Sequence, residues 1–482
     1  MKPIQITLLL FGLAFLGFLM FQQTPSQTMS ESHITQESAK TQPKQGAAVK
    51  NGPDVELTAV QEKLAGGQRE GALFVNAIDP IVVELPGDAV PYWQAVADES
   101  PLPLIVLSLH PLLQPIPESA EKRALNLARN GTPEDFQKLG RFSNSDPVLL
   151  PIQSVRVTVD SGMFKRLGWV FPTRSPIEDI DPNTFRQQMK TLGFLSVENA
   201  AALKYTSGIF NGKISGYDFS VYHPGAIGHQ PDPVIVHFDL SYFKGIYKNP
   251  VSTPIYGLLH QTASAIRAAG WNVKLVTLSF STENQAVSLE VRFLMAALAE
   301  MVRNPDLLET GLPPAWEKRA QAMYAGAMYM ESDAKKLIRA AAESYPDDAA
   351  ALYDMAMLSL QQGDNQGGID FLDEAVRLDS GYASAYPMLA SRSAETGNFQ
   401  QALEFGQKAK SFFPDNAFID IGMVESLVAL ERFPEAREKL IMLEKLDWST
   451  EYHPDVPDYL RNLQKVIETA NQTPSEKNDL TR

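Results

Sequence analysis

The side chains of this sequence that could do chemistry stand at the ends of short apolar runs. Glu84 ends "PIVVEL", His110 follows "LPLIVLSL", Asp239 closes "PVIVHFDL" with Ser241 just beyond, and "SFSTE" at 279–283 follows "WNVKLVTL". A carboxylate and imidazole set can hold a divalent cation that activates water, and two carboxylates can divide acid and base work. Glu84, Asp239, Glu283 and Glu290 are the carboxylates available for the second chemistry. His223, His229 and His237 lie near Asp239 in sequence, but "HPGAIGH" has no recognised metal-ligand spacing. The plainer expectation is a hydrogen-bonded histidine at 110 and a turn-capping aspartate at 239. The chain has no cysteine, which excludes disulfides, thiolate metal sites and cysteine nucleophiles. It also lacks a Gly-rich phosphate loop and a G-x-S-x-G elbow.

The elements that must position these residues are strands at 80–85, 102–109, 167–172, 233–240 and 271–280. Helical patterns lie between them at 89–97, 118–129, 182–191, 254–269 and 288–302. Continuous apolar runs suit strands buried on both faces of a parallel sheet, so the spacing predicts an α/β layer fold over 54–305. In such sheets ligands sit beyond the carboxyl ends of the strands, which is where Glu84, His110, Asp239 and Ser279 fall.

The stretches "DPIVVELPGDAVPYWQAV", "LPLIVLSLHPLL", "LGWVFP" and "VIVHFDLSYFKG" give this region a resemblance to the arginase–deacetylase (ureohydrolase) superfamily. The resemblance implies a three-layer sheet domain with two divalent metals, held by an Asp-x-His-x-Asp pattern and an Asp-x-Asp pattern. Here the first slot reads Ser108-Leu109-His110-Pro111-Leu112 and the second Asp239-Leu240-Ser241, and Pro86 takes the place of a further histidine. Only His110 and Asp239 remain of the metal set, too few ligands for a dinuclear site. The expectation is a catalytically degenerate domain without a cofactor. The alternative is a hydrolase that keeps one divalent ion on His110 and Asp239, with help from His229 or Glu283.

A repeat fills the C-terminal third. Ala334, Gly368, Ala402 and Ala436 recur at intervals of 34, followed seven residues later by Ala341, Ala375, Ala409 and Leu443. Terminating positions read Pro346, Ser380, Pro414 and Trp448, and the turns within pairs read Gly363, Gly397 and Glu431. Each segment is apolar at helical spacing and leaves a face that only the next pair can cover. These residues resemble the tetratricopeptide (TPR) family over 315–447, with a capping helix at 457–470 inside the 448–482 tail. The resemblance implies an all-α solenoid whose first helices line a groove for other proteins. By helical spacing the groove candidates are Trp316, Arg319, Met323, Tyr353, Met357, Phe418, Ile421 and Glu425.

Residues 4–21 form an uncharged apolar run behind Lys2, long enough to span a bilayer. The absence of an A-x-A-like site favours an uncleaved anchor over a signal peptide, and the preceding charge puts the bulk of the chain on the extracytoplasmic side. The 1–22 anchor is followed by a polar stretch at 23–53, read as a flexible tether. A net charge of −15 argues against nucleic acid as a partner. The sequence therefore predicts a membrane-tethered scaffold that binds proteins through the repeat groove.

Overall fold

The computed structural model describes residues 60, 63, 64, 66–97, 101–280 and 287–472. The expected anchor and tether at 1–53 lie outside the described residues, and among those described no helix is long and apolar enough to cross a membrane.

The middle region is a mixed α/β structure built on one sheet. Its strands are β1 (Gly71–Ala72), β2 (Ile81–Val83), β3 (Pro103–Leu107), β4 (Arg166–Val170), β5 (Lys204–Thr206), β6 (Ile209–Ile214), β7 (Tyr217–Tyr222), β8 (Val234–Asp239) and β9 (Asn272–Ser279). Strands β2, β9, β8, β3, β4 and β7 run parallel in that order. Short β1 pairs antiparallel with β9 beside β2, and β6 then β5 extend the other edge antiparallel. All five expected strands are present.

The buried runs of β3 and β8 place alternate residues on opposite faces, as the two-residue period of a strand requires. Leu104, Val106 and Ile235 pack with the helices Val90–Ala97, Glu118–Asn130 and Ser154–Asp160. Ile105, Leu107, Val236 and Phe238 face the other way, toward Ile255–Ala269 and Phe293–Arg303.

The β5–β6–β7 meander and the helices Pro133–Leu139, Ser154–Asp160 and Val197–Ala202 are additions to the sequence expectation. The meander turns twice through two-residue Ser-Gly loops. Ser207 and Gly208 have φ of 47° and 87°, and Ser215 and Gly216 have 47° and 86°. Positive φ at both central residues is type I′ geometry, which matches the twist of paired strands.

The C-terminal region is all helical. Four antiparallel pairs run from Pro314–Ala327 with Glu331–Ser344 to Ala417–Ala429 with Phe433–Glu444, and the helix Val456–Gln472 packs on the last. Tyr329, Gly363, Gly397 and Glu431, spaced by 34, all have positive φ at the turn within each pair. Gly368 shows why a small residue recurs: a Cβ there would lie 2.6 Å from the Leu360 side chain.

The array does not stand apart from the sheet. One apolar cluster runs from Ile105 and Val236 through Leu259 and Phe293 into Tyr353, Tyr386 and Leu427.

Candidate functional site

Three contacts hold the array against the α/β region. At its start, Trp316 stacks on Tyr256 with centroids 5.5 Å apart. Arg319 lies over the Phe293 ring at 4.9 Å and binds Asp354 at 3.1 Å. In the middle, Arg292 is 3% exposed and takes two carboxylates at once. It donates to Glu84, just past β2, at 2.7 and 2.8 Å, and to Asp379, at the end of Asn365–Leu378, also at 2.7 and 2.8 Å. Burial alone would depress the guanidinium, but its hydrogen bonds to Asp379 and Glu84 outweigh it and raise its pKa. The site is so close that a Cβ on Gly381 would come within 1.8 Å of the guanidinium.

At the far end, a loop of the α/β region seats against the last pair. Phe142 stacks on Phe418 at 6.0 Å, the Ala417 and Ser449 amides donate to the Ser143 and Ser145 carbonyls, and His453 Nε2 meets the Asn144 carbonyl at 2.9 Å.

Between the first and last contacts lies a cleft of about 910 Å³. Its walls come from Tyr247, Glu290 and Phe293 on the α/β side and from the first three helix pairs on the other. Four of the sequence-derived groove residues, Arg319, Met323, Tyr353 and Met357, line it. The other four are spent elsewhere. Trp316 and Phe418 face the α/β region as described, and Ile421 is core. Glu425 accepts from the Tyr459 hydroxyl of the final helix. Helical spacing assigns residues to a helix face but carries no information on what the rest of the same chain places against it. Leu389 and Arg392 also line the cleft and were not among the candidates. They sit on the first helix of the third pair, where the 34-residue phase carries Tyr353 and Met357 to Pro387 and Ser391, so that phase alone does not reach them.

The carboxyl ends of the strands hold a buried polar chain. His237, Asp239, Ser241, Thr277 and Ser279 are all fully buried. Trp93 Nε1 donates to Thr277 Oγ1 at 3.0 Å, which lies 2.9 Å from His237 Nδ1. His237 Nε2 lies 3.2 Å from Ser279 Oγ, and that hydroxyl donates to Asp239 Oδ2 at 2.6 Å. The other Asp239 oxygen accepts from the Ser241 amide at 2.9 Å, and Ser241 Oγ accepts from the Leu109 amide at 3.1 Å. Parallel pairing sets this up by putting His237 beside Thr277 and Asp239 beside Ser279.

Burial raises the Asp239 pKa, partly offset by its bonds from Ser241 and Ser279, and lowers that of His237 to about 3. Both therefore favour their neutral forms. Asn at 239 carries no charge, still accepts from the Ser241 amide and can donate to Ser279. We expect Asp239→Asn to change stability by less than about 1 kcal/mol and Asp239→Ala, which strands both partners, to cost about 2 kcal/mol. Urea unfolding of the two variants measures the difference, and equal losses would contradict this reading.

The remaining metal candidates are not gathered here. His110 rests against Phe194 with centroids 5.2 Å apart, and its pKa is lowered to about 4, first by burial and then by Lys244. His229 is exposed beside Gly270, before β9 begins, and so at the opposite end of the sheet from Asp239, about 20 Å along β8. His223 uses both ring nitrogens, Nδ1 accepting from the Gly225 amide and Nε2 bonded to the Ser175 carbonyl. Glu283 lies outside the described residues. Among those described, no group of three or more His, Asp or Glu side chains is placed to hold a metal ion.

No curated protein matches the chain. One of 24 matching solved chains, described as "MamA RS-1 ArsTM double mutant", is 15% identical, with 33% of this chain and 96% of that chain covered. Its TM-score is 0.23, too low to carry weight on fold or function. None of the comparisons supports the ureohydrolase resemblance of the middle region. A tetratricopeptide repeat model matches residues 332–383, which take in the second helix of the first pair and both helices of the second, Ala349–Gln361 and Asn365–Leu378. The helical C-terminal region of this chain therefore carries a tetratricopeptide repeat, a module that binds other proteins.

Proposed function

We propose that this chain is a membrane-tethered scaffold that holds a segment of another protein in the cleft between its repeat array and its α/β region. The observation that carries this reading is the tetratricopeptide repeat at 332–383, whose flanking helices line the cleft. The floor is apolar and adaptable, with Met323, Met357, Tyr353 and Leu389. Around it stand groups that can meet a peptide backbone: Gln361, Asn365, Gln401 and Arg392. The apolar run at 4–21 supplies the tether, and the α/β region serves as a support rather than a catalyst. No observation favours the hydrolase alternative.

Selection of a random-peptide display library on the full chain tests the cleft. Selected peptides should lose at least tenfold in affinity on Met323→Arg with Met357→Arg, and nothing on Met388→Arg outside the cleft lining. Peptides indifferent to the cleft variants would refute the proposal. Retention of the full chain in alkali-washed membranes, and its release on deleting 1–22, tests the tether separately.

A further inference from the structure

We propose that the turn at 328–330 is a second docking point, built to receive a basic amphipathic helix of a partner protein. It rests on the reading of the array as a protein-binding module, but not on the cleft. Tyr329 is 92% exposed, and Tyr324, Met328 and Met330 are 46–47% exposed, so four large apolar side chains meet solvent together.

Comparison with the sister repeats shows what this patch costs. At the turn position the second and third pairs have Gly363 and Gly397 at φ of 82° and 80°, while the first pair forces Tyr329 to 59°. Only glycine adopts that region freely. One residue later, Asp364 and Asn398 cap the next helix by accepting from the Gly367 and Gln401 amides, whereas Met330 caps nothing with its side chain. Two adjacent positions have thus given up the residue their backbone favours, each for a large apolar one. The fourth pair also departs from the pattern, but with Glu431 and Arg432, which are polar and solvated. The departure at 329 and 330 is therefore specific in its chemistry, and strain of this kind is kept where something contacts it.

Methionines and tyrosines together make an adaptable apolar surface suited to the apolar face of a helix. The nearest charges cancel, with Lys335 to Glu331 at 3.6 Å and Lys336 to Asp333 at 3.5 Å, so local affinity is apolar. Longer-range selection comes from the net charge of −15, which draws a cationic partner and repels both a second copy and an anionic membrane.

The test restores the sister residues in the full chain: Tyr329→Gly with Met330→Asp. The probe is a labelled 18-residue amphipathic peptide of Leu and Lys, with a Leu and Glu peptide of the same pattern beside it. The variant should melt a few degrees higher than the parent, yet bind the Leu/Lys peptide at least tenfold more weakly although it gains a negative charge. The Leu/Glu peptide should not bind either protein. Unchanged affinity overturns the proposal. So does loss of binding on Met357→Arg instead, which would place the peptide in the cleft and leave the first reading standing. A parent dimer that dissolves in the variant, seen by sedimentation, overturns it in favour of a second copy.

Discussion

Arg292→Met should lower the stability of the chain by about 3 kcal/mol and separate the melting of the array from that of the sheet region. The methionine keeps much of the apolar stem, so lost volume is a small part of the effect, although the guanidinium's seat over the Phe280 and Tyr382 rings goes with the charge. The loss comes from Glu84 and Asp379, left facing each other without a cation. Neither carboxylate is fully enclosed, with 40% and 36% of their side-chain surface exposed, which keeps the cost at the lower end for a broken buried pair. Neutralising both, with Glu84→Gln and Asp379→Asn in the Arg292→Met background, should recover part of it. Gly381→Ala attacks the same junction sterically. Calorimetry should show one transition for the parent and two for either variant; a single unshifted transition would mean that the junction is not what joins the two regions.

The second large effect is on pH. Burial raises the Glu425 carboxyl to about 7 from an ordinary 4.5, partly countered by the hydrogen bond from Tyr459. A raised carboxyl favours folding in its neutral form. Its contribution is complete below about pH 4.5 and is lost as the pH climbs through 7. The residue joins Ala417–Ala429 to the final helix, so that helix should loosen first in alkali. Glu425→Gln stays neutral and still accepts from Tyr459. At pH 8 it should be more stable than the parent by about 3 kcal/mol, and at pH 4 the two should agree. The difference between the proteins isolates this one group, because other titrations are common to both. A gap that does not change between pH 4 and 8 would refute the assignment.

Much of the architecture is legible in the residues because it is governed by local periodicity. The runs at 102–109 and 233–240 are apolar throughout, and β3 and β8 are indeed buried on both faces at the centre of the sheet. The 34-residue phase is written in Gly363 and Gly397, whose φ values the backbone confirms. The meander was missed because β6 and β7 expose one face, with Asn211, Lys213 and Asp218 interrupting the apolar pattern. Its two Ser-Gly turns were the available signal. The site was less legible for a different reason. Whether Phe418 meets a partner or Phe142 depends on residues 276 positions apart, and no local pattern encodes that distance. Of the residues that invited a metal reading, Asp239 belongs to a buried hydrogen-bonded chain that runs from Trp93 to Leu109, and His110 and His229 lie apart from it.

Solenoids ordinarily tolerate gain or loss of a repeat, since each unit touches only its neighbours. This one is pinned at Arg319, at Asp379 and at Phe418 to a frame of fixed dimensions. Removing one helix pair would shift everything beyond it by about 10 Å, the spacing of packed helices, and would carry either Asp379 away from Arg292 or Phe418 away from Phe142. The number of repeats is therefore not free to drift: the sheet acts as a gauge against which the length of the array is set.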